Sequence, residues 1–196
     1  MEHLQAADEG ILYWCENHHS SVGNAVMELG TLLGERAVVI GVLGAVLFLF
    51  WLAGQRRAAL ILLLASLLGI GISESTKRLI QRERPDVAWK LIERPHSPSF
   101  PSGHALNTTT LYGGLALLVA RRLRRRLVCT LVLLVGFALP LLSGISRPYL
   151  GVHYPSDVLA GWTAGLACAL LALWADQRWG EQRTDRVSRP VDPPAS

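Results

Sequence analysis

Cysteine is scarce in this chain. Three occur in 196 residues, Cys15, Cys129 and Cys168, and the last two sit inside apolar runs. That odd, scattered set excludes a disulfide framework, and without any C-x2-C or H-x3-H pair no zinc site is expected. Charge is thin as well, at 17% of residues, and no run of carboxylates is present to hold a divalent metal. A cleavable leader is not expected either, because Glu2, Asp8 and Glu9 stand where a basic stretch and an apolar core would be needed.

What is plentiful is apolar residue, 51% of the chain, gathered into blocks. Five blocks read as membrane spans: Ala37–Ala53, Ala58–Thr76, His104–Ala120, Leu127–Gly144 and Val158–Ala175. Each approaches the length needed to cross a hydrocarbon core of about 30 Å. A spanning backbone must satisfy its own hydrogen bonds, so the spans are expected to be helices. Runs such as Ala58–Leu68 are apolar all round rather than on one stripe, which argues against a soluble bundle. Gly161 and Gly165 form a G-x3-G pair suited to close helix packing.

The expected fold is therefore an all-α integral membrane protein, a bundle of five transmembrane helices, or six if residues 10–34 also cross. Residues 1–35 read as one or two amphipathic helices at the interface. Leu4, Ile11, Leu12 and Cys15 share one face, and Val22, Val26, Leu29 and Leu33 repeat at helical spacing. Residues 36–178 form the core, and 179–196 read as a solvated, disordered tail, with loss of order from Asp176 onward.

Three polar clusters interrupt the apolar pattern: Lys77-x6-Arg84-Pro85, then Pro101-Ser102-Gly103-His104, then Ser146-Arg147-x5-His153-x3-Asp157. Each lies at the end of a span, and alternating topology brings all three to one side. The opposite side receives 11 basic and four acidic residues, among them Arg56, Arg57 and the Arg121–Arg126 run. The positive-inside rule puts that side and the C-terminus in the cytoplasm, so the clusters face the periplasm or exterior.

Each cluster has a chemical reading and a structural one. Lys77 and Arg84 would share a face of a helix ending near Arg84, since Pro85 disfavours helix in the residue before it. They could equally snorkel to headgroups, as Arg78, Arg82 and Lys90 are expected to do. Ser102 suits an N-cap and Gly103 a close approach, so the following helix start could hold an anion or could simply be well capped. Pro155 fits a first helical turn, with His153 just before it and Asp157 within it. The carboxylate could hold one imidazole nitrogen and leave the other lone pair free for attack, or only steady a loop. Arg147 adds a planar multi-donor cation suited to phosphate. Taken together on one face, the clusters point to phosphate chemistry. His96, His18 and His19 read as solvated loop residues.

The pattern K-x6-RP, PSGH, SR-x5-H-x3-D resembles the signature of the type 2 phosphatidic acid phosphatase superfamily, without substitution at any signature position. The resemblance implies that Lys77, Arg84 and Arg147 bind phosphate oxygens with Ser102 and Gly103. It implies that His153 attacks phosphorus, Asp157 orients it, and His104 protonates the leaving oxygen. No metal and no cofactor are implied. The implied partners are a lipid phosphate or diphosphate and bilayer lipids, not nucleic acid, with undecaprenyl diphosphate first, then phosphatidylglycerol phosphate, phosphatidic acid and lipid A. A phosphotransferase would share the same residues. A vanadate-dependent peroxidase would share the pocket but resembles large soluble proteins. A non-catalytic binder of anionic lipid would need the cations but not the histidines.

Overall fold

The computed structural model describes residues 2–188, with side chains from His3 to Trp179. Among them no strand occurs. The helices are α1 (Glu2–Asn17), α2 (Ser21–Leu32), α3 (Arg36–Leu52), α4 (Arg56–Ile80), α5 (Gly103–Thr108), α6 (Gly114–Ala120), α7 (Arg126–Tyr149) and α8 (Pro155–Ser188). A π-helical turn, Thr109–Gly113, joins α5 to α6.

All five expected spans fall on helix. By length and apolarity together, α4, α7 and residues 155–179 of α8 can each cross a membrane, and α2 with α3 forms a fourth candidate bent by 54°. The His104–Ala120 span is split by the π turn. Its cause is local: the hydroxyls of Thr108, Thr109 and Thr110 donate back to the carbonyls of His104, Ala105 and Leu106, at 2.6, 2.7 and 3.0 Å. Such back-bonding competes with the helical ladder.

This helix lies at the centre. Leu111, Tyr112 and Leu118 are buried with Leu62 of α4 and Val39 and Phe50 of α3. Side chains on the outer faces tell the complementary story. Leu60, Leu64, Leu67 and Leu68 of α4, with Leu131, Leu134 and Val135 of α7, are exposed, as a surface facing lipid tails requires. The G-x3-G pair sets the spacing between α8 and α5. A Cβ on Gly161 would lie 2.6 Å from the Ser102 carbonyl oxygen, and one on Gly165 would lie 2.7 Å from Thr109 Cβ. Trp162 packs inward too, donating to the Pro140 carbonyl at 3.0 Å.

Two expectations are corrected. The helix carrying Lys77 stops at Ile80, not near Arg84. Gln81 takes a left-handed conformation (φ 49°, ψ 33°), and its N–H donates to the Lys77 carbonyl at 3.0 Å, which caps the helix. Lys77 and Arg84 therefore do not share a helical face. Order does not end at Asp176. That carboxylate is buried among Arg57 (3.5 Å), Arg121 (2.7 Å) and Arg122 (3.0 Å), and α8 runs on to Ser188. The last eight residues of the expected tail, 189–196, lie outside the described residues. The N-terminal helices pack against the bundle. α1 docks through Asp8, Leu12 and Cys15, all buried, while Leu4 and Ile11 stay exposed. On α2 the Val22, Val26 and Leu29 stripe faces outward, and the small Gly30 packs against Leu142 of α7.

Candidate active site

Antiparallel helices deliver the three clusters to one end of the bundle. A cavity of about 670 Å³ there is lined by Lys77, Arg84, Gly103, His104, Arg147 and His153. Part of its wall is apolar, from Val39, Ile40 and Ile70 of α3 and α4. Six of the eight residues singled out in the sequence thus face one space. Ser102 and Asp157, both fully buried, stand behind it.

The Ser102 hydroxyl accepts from the Ala105 N–H at 3.5 Å as the N-cap of α5, and its own N–H donates to the Asp157 carbonyl oxygen at 3.0 Å. This ties the second cluster to the third. Gly103 follows, and the position a side chain would take there lies 3.5 Å from Lys77 Nζ. Lys77 itself is buried, 4.0 Å from Glu74.

His153 is buried among three partners. Arg84 Nη1 donates to Nε2 at 2.8 Å, so Nε2 carries the lone pair and Nδ1 the proton. Nδ1 faces Ser99 Oγ at 3.3 Å and Asp157 Oδ2 at 3.4 Å. Asp157 is itself saturated: Ser99 Oγ and the Tyr154 N–H donate to Oδ2, and Arg82 donates to Oδ1 at 2.6 Å. Burial drives the His153 pKa down to about 3; the Asp157 bond opposes this, and the charges of Arg84 and Arg147 add to it. The imidazole is neutral throughout the physiological range. Burial likewise lowers Arg84 to about 10, Asp157 offsetting part of it, so the guanidinium stays charged. Arg84 is fixed further by the Ser97 carbonyl at 2.7 Å and the Val152 carbonyl at 2.8 Å.

Arg147 is buried, donates to Thr31 Oγ1 of α2, and leaves its Nε without a partner among the described residues. His104 Nε2 makes no hydrogen bond among the described residues and lies 3.5 Å from Glu35 Oε1. No group of three His, Cys, Asp or Glu side chains among the described residues has the closeness a metal ion needs.

Several contributors are invisible in the clusters. Arg82, expected to snorkel, instead bridges Asp157 to Asp8 of α1 at 2.8 Å, with its guanidinium 4.1 Å above the Tyr154 ring. Asp8 also accepts from the Ser156 N–H at 2.8 Å. The one available signal was Asp8 itself, an acid four residues from Leu4 and from Leu12 on the apolar face of α1. Ser99, Thr31 and Glu35 left no local signature. His19, expected to be solvated, is half-buried against Trp89 and Tyr149, while His18 and His96 are exposed.

The family model of the PAP2 superfamily matches residues 58–181. The chain is 31% identical to phosphatidylglycerophosphatase B of Bacillus subtilis strain 168, over 89% of this chain and 86% of that one. It is 32% identical to undecaprenyl-diphosphatase BcrC of the same strain, over 79% of this chain and 76% of that one. Its fold matches the crystal structure of a transmembrane PAP2 type phosphatidylglycerolphosphate phosphatase from Bacillus subtilis with a TM-score of 0.81 at 30% identity, covering 91% of this chain and 88% of that one.

Proposed function

Since the chain belongs to the PAP2 superfamily and is a multi-pass membrane lipid phosphatase, we propose that it cleaves a lipid diphosphate or monophosphate through a phosphohistidine on His153. The observation that carries this is a cavity in which Lys77, Arg84 and Arg147 meet two histidines and an apolar wall. A phosphate group bonds to Lys77, Arg84 and Arg147 and to the N–H groups at the start of α5. The lipid chain leaves past Val39, Ile40 and Ile70.

Phosphate oxygens offer the Arg84 guanidinium a charged partner in place of Nε2, which frees that lone pair for attack. As the Nε2–P bond forms, the P–O bond to the lipid breaks and the leaving oxygen takes a proton from His104. Charge on the three equatorial oxygens is met by fixed cations, which need no reorganisation during the step. In the second step His104 takes a proton from water, the water oxygen attacks phosphorus, and the P–N bond breaks to restore Nε2. Asp157 and Ser99 hold Nδ1, and the Asp157 carboxylate balances the imidazolium charge. Ser102 acts through the cap that aims Gly103 and His104.

The first substrate proposed is undecaprenyl diphosphate at the outer leaflet of the plasma membrane, with the C-terminus in the cytoplasm. The similarity to phosphatidylglycerophosphatase B over most of the chain supports phosphatidylglycerol phosphate as the second. Phosphate release by purified protein with excess EDTA, across both lipids and phosphatidic acid, tests this. Release from one lipid, lost in His153→Ala, supports the reading; release that survives His153→Ala contradicts it.

A further inference from the structure

Leu33, Gly34 and Glu35 form the joint between α2 and α3, and this joint is fastened over the cavity. Tyr112 Oη donates to the Leu33 carbonyl at 3.0 Å. Thr31, one turn earlier, accepts from Arg147. Gly34 lies flat against the His104 ring, and a Cβ there would also come within 2.6 Å of Ser143 Oγ, so only glycine lets the joint sit so low. The next residue, Glu35, brings its carboxylate 3.5 Å from His104 Nε2, an atom with no hydrogen bond among the described residues.

The electrostatics give that contact a purpose. The charged groups around His104 are Lys77 and Glu74 from α4, Arg84 from the following loop, Arg147 from α7, Arg36 from α3 and Glu93, which line the same cavity with neutral His153. Glu74 is already at Lys77. An acid catalyst among these cations loses its proton readily unless a carboxylate stands by it. Glu35 is the carboxylate within ion-pair distance of the imidazole.

We propose that Glu35 is a positioning residue for proton transfer. Its carboxylate keeps one ring nitrogen of His104 protonated and directs the other at the leaving oxygen. In the first step the P–O bond breaks, the proton on that second nitrogen passes to the lipid oxygen, and the ring is left neutral with Glu35 still ionised. In the second step water returns a proton to the same nitrogen as its oxygen bonds to phosphorus. The inference rests on the proposed role of His104 as general acid.

The test compares two substrates that differ in need for an acid: dioctanoyl phosphatidic acid, whose alkoxide is a poor leaving group, and p-nitrophenyl phosphate, whose phenolate leaves unaided. In Glu35→Gln the ratio of kcat/KM on p-nitrophenyl phosphate to kcat/KM on phosphatidic acid, which reports on P–O cleavage and not on the shared hydrolysis of the intermediate, rises by roughly tenfold or more, within the range general acids supply. The basic limb of the phosphatidic acid profile moves down by about one pH unit, because the charge favouring imidazolium is gone. Glu35→Asp recovers part of the ratio. His104→Ala serves as the control. If His104→Ala raises the ratio and Glu35→Gln does not, the Glu35 assignment is overturned alone. If His104→Ala lowers kcat/KM on both substrates equally, the general-acid reading falls and the Glu35 inference with it.

Discussion

Arg84 Nη1 lies 2.8 Å from Nε2 of His153, so a fixed cation caps the lone pair of the proposed nucleophile. A positive neighbour disfavours imidazolium, and here it adds to burial in driving His153 down to about 3. In Arg84→Gln that repulsion is gone, so His153 protonates at higher pH. The acid limb of kcat/KM, measured from pH 3 to 7, is expected to move upward relative to the unsubstituted protein, alongside a rise in KM. An unmoved limb would show that Arg84 does not govern the ring's protonation.

The same shift has a consequence for stability. His153 titrates near 3 in the fold and near 6.5 when unfolded. Between those values the unfolded chain holds the extra proton, so stability is highest above about pH 6.5 and declines as pH falls toward 3. Thermal unfolding in detergent at pH 7, 6, 5 and 4 is expected to show a shallower decline for His153→Asn. Identical slopes would mean other groups set the acid sensitivity.

Asp8 links α1 to the back of the site through Arg82 and Ser156. Asp8→Ala removes a buried acceptor and leaves Arg82 Nη2 without its carboxylate, while Asp157, Ser156 and the Tyr154 ring still hold the guanidinium, an expected loss of about 1–3 kcal/mol. Because Arg82 helps hold Asp157, kcat should fall while KM changes little. Unfolding temperature and steady-state kinetics on one lipid check both parts. A normal kcat in a destabilised variant would confine Asp8 to docking the helix.

Much of this was legible because it is local. The end of each apolar block is read from hydropathy, and the end of a span is where Lys77, His104, Arg147 and Asp157 stand. The G-x3-G pair announced the close face of α8, and PSGH announced a capped helix start. What was illegible is long-range. Arg82 and Asp8 are 74 residues apart, and Asp8 and Ser156 are 148 apart. No spacing rule joins such residues, so Arg82 read as one more cation near a span end. Glu35 was hidden for the same reason: its importance lies in a bent joint whose angle follows from packing against Tyr112 and Arg147. The early stop of α4 depended on Gln81 adopting a left-handed cap, which its residue type does not announce.

A covalent phosphohistidine on His153 can be trapped by rapid quenching. Protein is mixed with lipid carrying a radiolabelled terminal phosphate, stopped in milliseconds with alkaline detergent, and run on a denaturing gel. Label is expected on the protein that survives alkali, is lost in acid, accumulates in His104→Ala and is absent from His153→Ala. Turnover without protein-bound label in either the unsubstituted protein or His104→Ala, or label that persists in His153→Ala, would contradict it.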